Sequence, residues 1–164
     1  MANLNLSQLL HLIEKMTACR QLVNELQKQK GSASLSVLDA AKPYLLAALY
    51  QKLRLPVLIV TAQPENSKKL HEQISSWCGS DRVILFPEPD ALPYQRIATD
   101  TSAEQERLQA LFALSHIDRE QDTPLIVTSA PAFIQKTAPH NDFISACHTI
   151  EPCRCQGIMS GLND

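Results

Sequence analysis

Three short runs of branched aliphatic residues, spaced by helical patterns, constrain this chain more than any other feature. The first is Pro56, Val57, Leu58, Ile59, Val60 and Thr61; the second spans residues 82–86 and the third 124–128. None alternates with polar residues, so each reads as a strand buried on both faces, the habit of parallel sheets. Parallel neighbours need a long crossover, and the intervening sequence supplies helices for it. Residues 64–78 place Leu70, Ile74 and Trp77 on one side. Residues 101–117 open with Thr101 or Ser102 as a cap and carry Glu104 in the first turn, which suits the positive end of the helix dipole.

Shorter elements complete the pattern. Residues 34–38 read as a short strand and 42–53 as a helix, with Pro43 tolerated because it lies in the first turn. Residues 130–136 read as a short helix, and 148–150 as a last strand. The fold expected is α/β, a three-layer parallel sheet with helices on both faces. Ahead of it, residues 6–29 read as one long amphipathic helix, with Leu9, Leu10, Leu12, Ile13, Met16, Cys19, Leu22, Val23 and Leu26 at helical spacing. Ser7 is its cap and Gly31 its stop. The domain reading is therefore an N-terminal helix over 1–31, an α/β domain over 32–151, and a linker or truncated start of a next subdomain over 152–164.

Composition excludes several classes. The chain has 164 residues, 45% of them hydrophobic and 20% charged, enough for a single core. Fifteen basic and 17 acidic residues leave a net charge of -2, and neither Lys28 with Lys30 nor Lys68 with Lys69 makes the basic patch that non-specific nucleic-acid binding needs. The longest apolar runs fall far short of the ~20 residues of a membrane helix, and the N-terminus lacks the pattern of a signal peptide. The expectation is a soluble, cytoplasmic protein with no membrane partner. The five cysteines are odd in number and irregularly spaced, unlike a secreted disulfide framework. Cys147, His148, Cys153 and Cys155 are the one cluster with a metal flavour. Their adjacent Cys-His and Cys-x-Cys spacing suits a tetrahedral zinc site poorly, and a strand end with free thiols is the plainer reading. No metal is expected.

Chemistry in such a sheet belongs at the carboxyl ends of the strands, and a phosphate loop at the first strand-to-helix turn. Here that turn covers residues 36–43. Against the pattern G-x4-G-K-[ST], Lys42 stands where the phosphate-contacting lysine would be. Ser36 and Ala41 replace the two glycines that allow close backbone approach. Pro43 replaces the hydroxyl residue that holds magnesium, and it has no N–H to offer. Asp39 brings a negative charge towards any polyphosphate. The loop reads as degenerate, so no cofactor is expected, although Lys42 is also compatible with a chance match. After the second strand, Glu88 and Asp90 in a proline-rich loop could form an acid/base pair or hold a metal. No third ligand lies nearby in sequence, and a rigid surface loop is the alternative. The five histidines, His11, His71, His116, His140 and His148, are scattered, and Ser129 lacks a nucleophile elbow. No catalytic residue is assigned.

Taken in order, the 56–61 strand, the Phe86-Pro87-Glu88-Pro89-Asp90-Ala91-Leu92-Pro93-Tyr94 loop, Glu106-Arg107-Leu108-Gln109-Ala110-Leu111, Leu125-Ile126-Val127-Thr128-Ser129 and Phe133-Ile134-Gln135-Lys136 resemble one family. It is the N-terminal, UvrB-like region of bacterial transcription-repair coupling factor (Mfd), over about residues 33–150. The family loop usually has a Trp-Glu pair where this chain has Pro89 and Asp90. The resemblance implies a P-loop NTPase-like fold, like the first domain of UvrB, whose phosphate loop has decayed. It implies a non-catalytic module of a DNA nucleotide-excision-repair protein. The parent would be an ATP-dependent, helicase-like DNA translocase that displaces stalled RNA polymerase and recruits UvrA, with its ATP-using motor far downstream. The implied partners are the rest of that protein, including an inserted UvrA-binding subdomain. UvrA, RNA polymerase and DNA are implied only through the full-length protein. No UvrA-contact residue is carried over to this chain. The alternative reading is a functional nucleotide-binding domain of a UvrB-like helicase.

Overall fold

The computed structural model describes residues 7–28, 32–89, 101–117 and 123–148. Its centre is a three-stranded sheet of β1 (Val57–Thr61), β2 (Val83–Phe86) and β3 (Leu125–Ser129), in the order β1-β3-β2. Both pairings are parallel, with Val57 and Val83 each opposite Leu125. The last strand in sequence therefore lies in the middle. All five of its residues are buried, as an uninterrupted apolar run requires.

Helices cover both faces. On one, Val57, Ile59, Val83, Leu125 and Val127 meet Leu46 and Tyr50 of α2 (Lys42–Leu53) and Leu70 and Ile74 of α3 (Pro64–Cys78). The Tyr50 hydroxyl also donates to the Thr123 carbonyl, tying α2 to the approach to β3. On the other, Ile84, Phe86 and Ile126 meet Ala110 and Leu111 of α4 (Thr101–Ser115) and Ala132 of the short α5 (Ala130–Phe133). Pro43 sits in the first turn of α2, where the sequence puts it. Arg54 ends α2 in the left-handed region (φ 49°).

The N-terminal segment departs from expectation. Residues 6–29 do not form one helix. A 3-10 helix (Ser7–Lys15) gives way at Met16, which is extended (ψ 129°), to α1 (Thr17–Gln27). The break has a packing cause. Leu10 and Ile13 are three apart and Cys19 and Val23 four apart, and all four are buried against Ala47 and Ala48 of α2. A single straight helix drifts off such a target, and the bend at Met16 returns the second piece to it. Arg20 donates to the Lys15 carbonyl (3.1 Å) and satisfies one of the groups the break exposes. Tyr44 of α2 donates to the Leu9 carbonyl (2.7 Å). The segment therefore lies on the α2–α3 layer and adds a fourth layer to the three expected. α2, as an inner layer, buries both of its sides.

Three other expectations are corrected. Residues 34–38 form no strand; they run without regular structure, and Leu38 is 82% exposed. With no pairing partner and no core to face, a strand there has nothing to stabilise it. β1 is not buried on both faces: it is an edge strand on which burial alternates, leaving Leu58 50% and Val60 47% exposed. The helix expected over 130–136 stops at Phe133, and a further helix, α6 (His140–Ala146), follows. The strand expected over 148–150 falls mostly outside the described residues, and His148 itself is not in a strand. No helix of the described residues is long and apolar enough to cross a membrane.

Candidate functional site

The carboxyl ends of β2 and β3 converge with the start of α5, and a network of side chains fixes the loop between them. The Thr128 hydroxyl donates to the Phe86 carbonyl (2.9 Å). Ser129 accepts from the Ala132 N–H (3.2 Å), capping α5, while its own hydroxyl donates to Glu88 Oε1 (3.5 Å). Arg107 reaches over from α4. One Nη donates to the Pro87 carbonyl (2.7 Å), and the guanidinium lies 4.1 Å from the centre of the Phe86 ring. Burial pushes the Arg107 pKa below its ordinary value.

A cleft of about 900 Å³ opens beside this network, between α3 and α4. Glu72, Asp81, Glu88 and Glu106 line it against Lys68 and His71. His71 Nε2 lies 3.1 Å from the Val83 carbonyl and donates to it in the tautomer that satisfies both. Four carboxylates against one lysine and one histidine repel a polyphosphate. The Ser129 hydroxyl is engaged with a carboxylate and a backbone N–H, and among the described residues neither of these partners is an imidazole. Asp90, the intended partner of Glu88, lies outside the described residues. Among the described residues no three His, Cys, Asp or Glu side chains are grouped to hold a metal ion.

The loop assigned to phosphate is elsewhere. Ser36 is exposed in an irregular segment; Ala41 ends a short 3-10 turn, Asp39–Ala41. Lys42 begins α2 and Pro43 is buried behind it. Lys42 Nζ is paired with Asp39 Oδ1 at 2.6 Å, and both side chains are largely exposed. The hydrogen bond from Lys42, then its charge, hold the Asp39 carboxyl below the usual carboxylate range. Lys42 does not line the cleft.

The other residues singled out by sequence remain dispersed. Cys147 is half-buried and His148 exposed, while Cys153 and Cys155 lie outside the described residues. His116 stacks on Phe112 (4.1 Å between ring centres). His11 lies on the N-terminal 3-10 helix and His140 begins α6. Sequence reasoning missed the Arg107 and Ser129 contacts, which join positions 20 and 41 residues apart. It did carry a signal for Asp39 and Lys42, since opposite charges three residues apart face one another on a helical turn.

No family model matches the chain. It is similar to a transcription-repair-coupling factor of Myxococcus xanthus, 30% identical over 125 residues, which covers 73% of this chain and 10% of that protein. Transcription-repair-coupling factors of Mycobacterium bovis and Mycobacterium tuberculosis are each 31% identical over 108 residues, or 64% of this chain and 9% of theirs. The chain thus spans about a tenth of the length of the curated relatives it matches.

Proposed function

This chain is a transcription-repair-coupling-factor-like region, and from that premise we propose that it serves as a non-catalytic module of such a factor in DNA repair. In this reading the domain is a degenerate relative of the P-loop fold that packs within a larger protein and presents surfaces to it. ATP hydrolysis, movement on DNA, displacement of RNA polymerase and recruitment of UvrA belong to the whole protein.

The observation that carries the reading is the loop before α2. A phosphate loop needs a free lysine, backbone that can close on the ligand, and a hydroxyl for magnesium. Here Lys42 is paired with Asp39 at 2.6 Å, and Pro43 stands at the hydroxyl position. A carboxylate already occupies the lysine and adds a charge of the same sign as the ligand's.

The test is phosphate release from magnesium-ATP, with and without duplex DNA. The expected result is no release above buffer, and none from Lys42→Ala. A rate that Lys42→Ala abolishes would replace this reading with the nucleotide-binding alternative.

A further inference from the structure

The N-terminal segment carries a pattern that the folded chain does not use. Leu9, Leu12, Met16, Cys19, Val23 and Leu26 recur three and four apart in turn, the a and d spacing of a heptad. On one continuous α-helix all of them fall on a single seam. The structure splits that seam at Met16. Leu9, Leu12 and Met16 face solvent, exposed by 45%, 48% and 59%, whereas Cys19 and Val23 are buried against α2.

Nothing local asks for the split. Residues 14–18 hold no glycine and no proline. α1 starts at Thr17 without a side-chain cap and without an acidic residue in its first turn. Ahead of it the 3-10 helix runs for nine residues, although such helices rarely exceed about four. The break is therefore imposed by docking on Ala47 and Ala48, while the sequence itself favours one helix. The tether permits release: residues 32–38, which lead towards α2, have no regular structure.

We propose that residues 7–28 have a second state, one continuous α-helix whose seam pairs antiparallel with the same segment of a second copy. The exchange of cover is close to balanced. Leu10 and Ile13 come off α2, Leu9, Leu12 and Met16 go under cover, and Cys19 and Val23 are covered in both states. At the centre of the surface left on α2 stand two small residues, Ala47 and Ala48. Protein concentration then decides between the states. The charges select the partner and its direction. Antiparallel pairing stacks Leu9 on Leu26, Leu12 on Val23 and Met16 on Cys19 of the second copy, and it sets Lys15 against Leu22 and Arg20 against Ile13. Parallel pairing brings Lys15 against Arg20 on both sides of the seam, where like charges repel. The segment thus fits a copy of itself running the opposite way.

The experiment is sedimentation equilibrium of the 164-residue chain from micromolar to millimolar concentration, with amide hydrogen exchange at both ends of that range. The expected result is a reversible monomer–dimer equilibrium. Leu12→Glu and Met16→Glu put a charge into the seam at side chains already half-exposed in the monomer. Each should leave urea unfolding of the monomer unchanged and weaken association by at least about tenfold. Leu114→Ser, on α4, should leave association intact. The Thr17 and Ala18 N–H groups open α1, where the helix offers them no acceptor. They should exchange fast in the monomer and at least about tenfold more slowly in the dimer. Leu9→Cys mixed with Leu26→Cys should, on oxidation, give a disulfide between positions 9 and 26 of different copies. A monomer at every concentration would overturn the proposal. So would a dimer that keeps fast exchange at Thr17 and Ala18, one that survives Leu12→Glu and Met16→Glu, one lost in Leu114→Ser, or one in which Leu9→Cys joins only to itself.

Discussion

α2 and α4 lie on opposite faces of one sheet; α2 is apolar along most of its length, whereas α4 is polar in its first half and apolar only from Leu108 onward. α2 is covered twice, by the sheet through Tyr50 and Leu46 and by the N-terminal segment through Ala47 and Ala48. α4 is covered once. Ala103 and Ala110 are buried, yet Leu108, Phe112 and Leu114 are each about half-exposed. A helix apolar all round belongs to an inner layer. α2 is one in this chain; α4 is not, since Glu104, Glu106 and Arg107 stand on it, and its half-exposed apolar residues are confined to positions 108–114. The difference shows which face of the sheet is covered twice and which only once among the described residues. The half-exposed apolar side chains gather on the α4 and β1 side, while the loop before α2 exposes Leu38 and the Asp39–Lys42 pair.

The comparison breaks most visibly if the cover on α2 is loosened. Leu10 is 2% exposed against α2, and Leu10→Ala should cost about 2–5 kcal/mol in urea unfolding, the range for a buried leucine. Arg107→Ala, which loses the bond to the Pro87 carbonyl and the stack on Phe86, should cost roughly 2 kcal/mol by the same measurement. Cys78 lies between the two regimes. Burial, only partly offset by Arg82, pushes its thiol up to about 11. Because the folded pKa is raised above the ordinary thiol value of 9.0, the fold favours the neutral thiol. That contribution is complete below about pH 9 and is lost as pH rises towards about 11. Urea midpoints should therefore fall across this window, and fall less in Cys78→Ala. The smallest effect belongs to the bare side of α4. Phe112→Ser and Leu114→Ser should each change stability by no more than about 0.5 kcal/mol. A larger loss in either would mean that α4 is already covered within this chain.

The sequence made the sheet legible and its surroundings less so. β3 is read correctly because it lies in the middle of the sheet, where an apolar run is buried on both faces. β1 has the same composition but is an edge strand, and composition does not report strand order. The helix break at Met16 escapes a periodicity argument, because apolar residues are so frequent over 9–26 that a continuous stripe can be drawn without singling out the four that are buried, Leu10, Ile13, Cys19 and Val23. Residues 34–38 have strand-like residues but no neighbour to pair with, and pairing is what makes a strand. Away from the cleft, in the loop before α2, the Asp39–Lys42 pair is local and its spacing is visible beforehand. The contacts of Arg107 with Pro87 and of Ser129 with Glu88 depend on how α4 and β3 return to the end of β2, which no local pattern carries.

The proposed non-catalytic role stands or falls with whether the domain binds nucleotide. The most direct measurement is the melting temperature of the domain as magnesium-ATP is raised to millimolar concentration. A ligand at 100 times its dissociation constant stabilises by about 2.7 kcal/mol, a shift easily seen. The account predicts a flat response, unchanged in Lys42→Ala. A saturable rise that Lys42→Ala removes would contradict it and make the loop before α2 a working phosphate site.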